Sequence, residues 1–486
     1  MTDLNIKSQK WTSYKNLVAL SSSFFLLCSA FQAVSTLQTS INAYNGLGSN
    51  SLSIIYGFFI VSCLFLPELL ISYLTIKWTL VICIIMYTSF IAANFKPAWY
   101  TLYPTSILLG LAAGPLWTSQ SVYITALSKN LCQCRSTLKE KHILLSLPVP
   151  SKSFNSSMTN KITGTIVENN KQEANIAPFL FGIFFAFYEI GSLFGQLISS
   201  LTLSNIIVIK SFGKTISNDS IYCGSAFCSS NGTQNFHIKY SPGKIYTLYA
   251  IYTALSLSAL LVVIIFLDNL PRQSIKDDNN ESVKKRISIW SMCFATLNQT
   301  LDPMQICLIP LSIYSGLQTG ILSADYTKAY ITCYYGMRYL GFVMMIYGVI
   351  NAIVGPSLGY LSKKIPRWSL FLTTAIIHSC FVFPILAFSR QAFADHFYLM
   401  FIVAGLWGLF DGIFQPQING LYSSIFQKNP EPAFANHRLW EAVGFVMSFS
   451  FHEVLCIKSK LIFLTVILVL ATISYIVLEI IIKKRS

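Results

Sequence analysis

Two groups of polar side chains lie in or beside apolar segments late in the chain. Asp411, Gln415 and Asn419 follow one another at intervals of four residues, and Arg438 and Glu441 are three residues apart. Such intervals place side chains on one face of a helix. An ionisable side chain at membrane depth is costly and commonly serves a function or faces a partner. These residues are therefore candidates for handling protons or cations, or for holding an assembly together.

We predict separate roles for the two groups. Asp411, Gln415 and Asn419 lie near the middle of a predicted membrane helix, whereas Arg438 and Glu441 lie near the inner start of the next one, roughly 15 Å or more away at 1.5 Å per residue. Direct pairing between the groups is not expected. The first group is the better candidate for a cavity site, and the second for a gate or a docking surface.

An earlier helix carries a similar polar stripe. Glu189 and Gln196 are seven residues apart in a predicted membrane helix, with Glu189 near its middle. Two interpretations stay open for Glu189: a protonated glutamate hydrogen-bonded between helices, or a proton or cation site. The candidates for a cavity or coupling role are thus Glu189, Gln196, Asp411, Gln415 and Asn419.

The composition indicates what kind of protein must position these groups. The 486 residues are 53% hydrophobic and 11% charged, with a mean hydropathy of +0.57, which excludes an ordinary soluble domain. Apolar segments of roughly 20 residues, long enough to cross about 30 Å of hydrocarbon, recur along the chain. The net charge of +15 comes from Lys and Arg concentrated in segments predicted to be cytoplasmic, so it indicates membrane orientation and not nucleic-acid binding.

We predict an all-α membrane protein with twelve transmembrane helices in two six-helix halves and both termini in the cytoplasm. The first six segments cover 16–38, 51–74, 78–95, 101–127, 178–203 and 244–267. The second six cover 304–323, 337–359, 369–389, 397–423, 437–456 and 460–481. The halves are residues 1–267 and 304–486, joined by a cytoplasmic linker at 268–303, and a flexible cytoplasmic insert is predicted at 128–177.

The longest outer loop, about 204–243, carries two kinds of extracellular or luminal signal. Asn218 and Asn231 begin N-glycosylation sequons. Cys223 and Cys228 are predicted to form a disulfide with each other, and pairing of either with Cys333 on the next outer loop is the alternative.

The sequence contains no catalytic motif of a soluble enzyme. The six His are scattered, and neither a nucleophile elbow nor a phosphate-binding loop occurs. We therefore predict a protein that is not an enzyme, with no cofactor and no metal site.

The loop from Gly359 to Trp368, GYLSKKIPRW, resembles the glycine-plus-basic loop of the major facilitator superfamily. In that superfamily helices 1, 4, 7 and 10 face a central cavity, so the resemblance places the stripe around Asp411 there. It also implies that helices 2 and 11 face each other across the two halves. We therefore predict an ion pair between Glu68 and Arg438 that closes an inner gate, and the alternative is a local pair between Arg438 and Glu441.

Longer stretches resemble the Unc-93-like family, most closely its homolog A type. They are LQTSIN from Leu37, GLGSNSLSIIY from Gly46, the block from Ala93 to Thr125, SADYTKAYITC from Ser323, and the segment from LWGLFDG to RLWEAVGF. The sequence departs from the family pattern at Pro416, at Pro432 and at Thr75, near which a glycine is expected.

The resemblance implies an accessory function. Family members resemble a regulatory subunit of a two-pore-domain potassium channel or an escort of Toll-like receptors, and the homolog A type favours the channel. We therefore predict a multipass accessory protein in contact with membrane lipid, preferably at the plasma membrane, that regulates a potassium channel complex. The alternative is a proton- or cation-coupled secondary transporter of an unknown small solute.

Overall fold

The computed structural model describes residues 3–42, 47–146, 156–203, 223–228, 242–270, 294–335, 339–362, 365–387, 395–450 and 455–485. Every regular element in these ranges is a helix. The predicted all-α membrane fold is therefore confirmed. The sequons at Asn218 and Asn231, and most of the outer loop and of the linker, lie outside the described residues.

The first half contains long helices. They are α1 (Asp3–Ile41), α2 (Leu47–Ala93), α3 (Trp99–Ser146), α4 (Ser156–Leu203) and α5 (Pro242–Phe266). Helices α3 and α4 extend into the predicted insert at 128–177, and the flexibility and cytoplasmic location of this insert stay predictions. Helix-forming Leu, Lys and Glu in STLKEKHILL account for this extension of α3.

Helix α2 is broken at Thr75, where two membrane spans were predicted to meet. Its 47 residues correspond to about 70 Å of helix, more than twice the hydrocarbon thickness. Thr75 has φ 69° and ψ 160°, outside the helical region. A positive φ favours glycine and is strained for a β-branched residue. A glycine was expected near this turn, and Thr75 instead adopts a backbone conformation that is strained for a residue with a side chain.

The second half consists of α6 (Ala295–Thr300) followed by six longer helices. They are α7 (Pro303–Gly320), α8 (Leu340–Leu361), α9 (Arg367–Ala387), α10 (Leu399–Ile425), α11 (Pro430–Ser450) and α12 (Ile457–Arg485). Asp302 caps α7 by accepting a hydrogen bond of 2.8 Å from the backbone N–H of Met304. Helix α7 continues as a π-helix over Ile321–Thr332 and ends with a turn at Cys333–Tyr335.

Nine helices in the described ranges are long and apolar enough to cross a membrane. One of them includes both spans of α2, and α9 and α11, each of 21 residues, are not among the nine. The total of twelve spans stays a prediction.

The two halves meet mainly along α4 and α8. Gly182 of α4 lies against Gly355 of α8, so closely that a side chain on Gly182 would collide with the backbone of α8. Close backbone approach of this kind is how small residues allow membrane helices to pack without a hydrophobic driving force. Near the predicted inner end, Lys129 Nζ donates to the backbone carbonyl of Gln427 at 2.6 Å and adds a polar contact between the halves.

Candidate functional site

Asp411 lies at a junction of three helices. Its side chain is buried, with 4% of the residue exposed, and it accepts three hydrogen bonds. Gln318 of α7 donates to Oδ1 at 2.9 Å, and Tyr347 and Asn351 of α8 donate to Oδ2 at 2.8 and 3.0 Å. All three donors are uncharged, so this carboxylate joins α10 to α7 and α8 without an ion pair.

A second layer of contacts fixes the donor from α7. The indole N–H of Trp407 donates to Gln318 Oε1 at 2.6 Å, and Trp407 itself is fully buried. Gln318 Nε2 also donates to the hydroxyl of Thr319 at 2.7 Å. The amide is therefore oriented with its N–H groups toward Asp411, as a preorganised site requires.

Gln415 and Asn419 connect the middle of α10 to the charged pair on α11. Gln415 Nε2 donates to the hydroxyl of Ser315 at 2.9 Å, and Asn419 Oδ1 accepts from Arg438 Nη2 at 3.1 Å. The prediction that the two polar groups lie apart is therefore wrong. Asn419 lies six residues before the end of α10 and Arg438 eight residues after the start of α11, so the helical hairpin brings them to a similar depth.

Arg438 and Glu441 form a buried ion pair. The Nη1–Oε2 distance is 2.6 Å, and only 4% and 9% of the two side chains are exposed. Ser315 donates to the other carboxylate oxygen of Glu441 at 2.9 Å. The predicted ion pair between Arg438 and Glu68 is wrong. Arg438 instead pairs with Glu441, which lies within one turn of the same helix. Burial also excludes Arg438 and Glu441 as an exposed docking surface.

Arg438 nevertheless contacts the first half, through α3 and not through Glu68, which lies half-buried on α2. Its Nη2 donates to the hydroxyl of Ser121 at 3.3 Å, and its guanidinium lies 5.2 Å from the centroid of the Trp117 ring. A cation over an aromatic face is attracted by the ring quadrupole. The contact of Arg438 with the first half is therefore made to Ser121 and Trp117, and a gate at this position stays a prediction.

Aromatic rings fill the first half beside this contact. Trp117 lies edge-on to Phe24 at 5.6 Å and to Tyr188 at 5.4 Å between ring centroids. Phe24 in turn lies 5.0 Å from Phe184. The guanidinium of Arg438 therefore faces a packed aromatic cluster.

The polar face of α7 is the feature that the sequence analysis missed. Besides the contacts above, Ser312 bonds His437 Nδ1 at 2.8 Å, and Gln305 Nε2 donates to the hydroxyl of Tyr422 at 2.9 Å and to Asn436 Oδ1 at 2.7 Å. The signal was present in the spacing of the polar residues on this helix, Gln305, Ser312, Ser315 and Gln318.

Glu189 and Gln196 on α4 make no side-chain hydrogen bond within the part of the chain that the structure describes. Both are half-buried. The carboxylates of Glu189 and Asp411 are close enough for their charges to interact, although they share no bonding partner. Neighbouring Tyr188 accepts a hydrogen bond of 2.6 Å from Gln32 of α1. Within the described residues, Glu189 thus differs from Asp411 in that its side chain accepts no hydrogen bond.

At the outer end, residues 223–228 are joined to the second half by two disulfides. Cys223 bonds Cys333, and Cys228 bonds Cys456. The predicted disulfide between Cys223 and Cys228 is wrong. The predicted alternative, a disulfide with Cys333, is confirmed for Cys223. The reason is the path of the segment: after a short turn at Gly224–Ala226, it runs from the end of α7 to the start of α12.

Further contacts hold the same segment in place. The backbone carbonyl of Phe227 accepts from the N–H of Ile457 at 3.0 Å, and Lys328 lies 5.7 Å above the Phe227 ring. Below it, Lys460 and Asp325 form an ion pair at 2.7 Å with 2% and 1% of their side chains exposed. Although this segment belongs to the first half by sequence, it packs on the second.

Outside the membrane helices, Asp268 follows α5 and binds the first helix. Its carboxylate accepts from Lys15 at 2.7 Å and from Asn16 at 3.1 Å. The hydrogen bond and charge of Lys15 lower the pKa of Asp268 below its usual value. Within the described ranges, no group of three or more His, Cys, Asp or Glu is placed to hold a metal ion.

Comparison with known proteins relates this arrangement to one sequence family. The family model described as "Ion channel regulatory protein UNC-93" matches residues 38–139 and 165–476. The chain is 35% identical to "Protein unc-93 homolog A" of Homo sapiens over 483 residues, covering 97% of this chain and 94% of that protein. It is 28% identical to the "Putative potassium channel regulatory protein unc-93" of Caenorhabditis elegans, covering 96% of this chain and 60% of that longer protein.

Solved structures with the same fold are major facilitator superfamily transporters. The transporter FucP in its outward conformation aligns with a TM-score of 0.59 at 17% identity, covering 95% of this chain and 98% of FucP. The human organic anion transporter MFSD10 aligns with a TM-score of 0.60 at 8% identity, covering 95% and 99%. At such low identity these likenesses show the fold alone.

Proposed function

The chain belongs to the UNC-93 family of ion channel regulatory proteins, and we propose that it is a non-enzymatic regulatory subunit of a potassium channel complex. Its multipass membrane fold is that of the major facilitator superfamily. We propose a two-pore-domain channel as the partner and the plasma membrane as the location, with both termini in the cytoplasm. The name of the Caenorhabditis elegans relative supports a potassium channel partner.

The observation that carries this proposal is the commitment of the buried acids to structural contacts. Asp411 is bonded to three neutral donors, and Glu441 to Arg438 and Ser315. A coupling acid in a secondary transporter has to release and regain a proton or cation in each cycle, and therefore has to exchange its partners. Acids held by several fixed donors instead favour a core that keeps one conformation.

The contacts of Arg438 support the same proposal. Its guanidinium joins Asn419 and Glu441 in the second half to Ser121 and Trp117 in the first. Separation of the halves at this level exposes a buried ion pair and breaks the contact with the aromatic cluster. A regulatory subunit does not need that separation, whereas alternating access does.

One observation favours transport as a second candidate. Glu189 is half-buried, makes no hydrogen bond within the described ranges and interacts electrostatically with Asp411. An acid of this kind is a candidate for binding a proton or cation near mid-membrane. Transport therefore predicts that Glu189 is essential, and channel regulation predicts that it is dispensable.

The test co-expresses the protein with a two-pore-domain potassium channel and records whole-cell current. We expect wild-type protein and Glu189→Gln to change the current equally, because Glu189 makes no side-chain hydrogen bond to the described residues of the core. Asp411→Ala is expected to abolish the effect, because it leaves the donors from α7 and α8 without their shared acceptor. Surface biotinylation of each variant confirms that equal amounts reach the membrane.

Two outcomes contradict the proposal. Wild-type protein that reaches the surface and leaves the current unchanged overturns the channel-regulator function. Proton influx that requires the protein and is lost with Glu189→Gln, measured with an intracellular pH dye, supports the transporter instead.

A further inference from the structure

A groove of about 270 Å³ opens on the side of the second half, between α9 and α12. Its floor is formed by aromatic residues of α7 and α10, including Tyr314, Phe410 and Phe414. The rims carry apolar side chains that are about half exposed: Leu372 on α9, and Ile476 and Ile480 on α12. A volume near 270 Å³ is slightly below the roughly 300–1,000 Å³ of most small-ligand pockets, which suits a slender chain.

The four hydroxyl groups that line the groove are already bonded within the protein. The hydroxyls of Thr374 and Thr472 donate to backbone carbonyls of their own helices at 2.6 and 2.8 Å. The hydroxyl of Tyr314 bonds His378 Nδ1 at 2.5 Å, and that of Tyr475 bonds Glu479. The part of a ligand that enters the groove therefore has to be apolar. A polar group buried there would lack a free hydroxyl partner, and burying an unpaired polar group is costly.

The length of the groove matches one leaflet of a bilayer. Its lining on α12 runs from Leu468 to Lys483, fifteen residues apart, or about 22 Å of helix. Half of a bilayer that is roughly 40–45 Å thick with its headgroups measures about 20–22 Å. The groove therefore extends from one membrane surface to about the midplane.

The surface end of the groove is positively charged. Lys483 lines it, Lys484 is exposed next to it, and Arg367 at the start of α9 lies close enough to Glu479 for their charges to attract. Among the described residues at this end, three cations and one acid give a net charge of about +2. Basic side chains between membrane helices at the level of the headgroups are suited to anionic lipids.

We propose that this groove binds an anionic phospholipid, with one acyl chain between α9 and α12 and the phosphate beside Lys483. An apolar interior, a length of one leaflet and a cationic end together match the three parts of such a lipid. A zwitterionic lipid can place the same acyl chain in the groove, but its headgroup is attracted less strongly by the cations, so it binds more weakly. The expected preference is about fivefold for each lysine near the headgroup, from about 1 kcal/mol each.

Trp368 provides the probe, since it lines the groove at the charged end and is 54% exposed. The full chain is reconstituted in phosphatidylcholine nanodiscs with a small fraction of phospholipid brominated near the glycerol end of its chain. The difference in fluorescence quenching between wild type and Trp368→Phe isolates the signal of this tryptophan from the other seven. We expect brominated phosphatidylglycerol to quench it at a fraction at least fivefold lower than brominated phosphatidylcholine.

Three variants separate a built site from general attraction to a charged surface. Lys483→Gln is expected to lower the preference about fivefold, and Ala375→Phe to remove it by filling the groove. Lys458→Gln, which removes the same charge from the exposed other end of α12, is the matched control and is expected to change nothing. Equal quenching by the two lipids overturns the proposal. So does a preference that survives Ala375→Phe, because the charges then act without the groove.

Discussion

Removing one partner of the buried pair Arg438–Glu441 is expected to destabilise the protein strongly. The pair is formed at 2.6 Å with less than a tenth of either side chain exposed. Arg438→Gln leaves the Glu441 carboxylate with one remaining donor among the described residues, the hydroxyl of Ser315. An uncompensated buried charge of this kind costs about 3–5 kcal/mol.

Buried cysteines of the chain can report thermal unfolding. Cys28, Cys63 and Cys83 are buried free thiols, which react with a fluorogenic maleimide only when the helices around them open. An unfolding entropy of about 2.1 cal/mol/K per residue gives about 1 kcal/mol/K for a chain of this length. The melting temperature of Arg438→Gln in detergent is therefore expected to fall by about 3–5 °C.

The exposed pair Lys15–Asp268 is the control. Its distance is similar, at 2.7 Å, but 38% and 45% of its side chains are exposed, so Asp268→Asn is expected to cost less than about 1 kcal/mol. The double variant Arg438→Gln, Glu441→Gln has no unpaired charge and is expected to regain more than half of the loss. If Arg438→Gln costs no more than Asp268→Asn, or if the double variant loses the sum of both single losses, the pair is not coupled and the reasoning fails.

Three further predictions use the same preparation. Gly316→Ala is expected to cost about 1–3 kcal/mol, because its new carbon collides with the backbone of α11, whereas Gly57→Ala, which has open space, is expected to cost nothing. The contribution of Asp268 to the free energy of unfolding is expected to be complete above its usual pKa of 3.8 and to disappear as the pH falls through the lowered pKa. The melting temperatures of wild type and Asp268→Asn are therefore expected to converge below about pH 4. Peptide mapping without reduction is expected to link residues 223–228 to the ends of α7 and α12, and a link within the segment contradicts the pairing described above.

Periodicity and composition were sufficient to predict the fold and the acid at its centre. The stripe that begins at Asp411 lies on a buried face of α10, as intervals of four residues indicated. Its partners Gln318, Tyr347 and Asn351 were not predicted, because they belong to helices separated from it by about sixty to ninety residues. Spacing along one helix defines a face, and tertiary packing decides what that face meets.

Two errors have the same physical origin. Asn419 and Arg438 were placed far apart because distance was measured along the chain, although an antiparallel hairpin returns the second helix to the depth of the first. We predicted a disulfide between Cys223 and Cys228, which are close in sequence, although the two thiols bond to cysteines beside different helices, Cys333 and Cys456. Local sequence contains the pairing candidates but not the path of the chain.

Helix α7 and its π-helical continuation are bonded to three other helices of the second half. They supply Gln318 to Asp411, Ser315 to Glu441 and Asp325 to Lys460. These contacts reach α10, α11 and α12, so displacement of α7 strains three helices at once. Under the proposed regulatory function these buried hydrogen bonds and ion pairs do not have to exchange, whereas a transporter of this fold has to exchange partners at its centre. Under the same proposal, a channel partner is expected to act on the outward faces of the helices, because the polar side chains of the core are already bonded to one another.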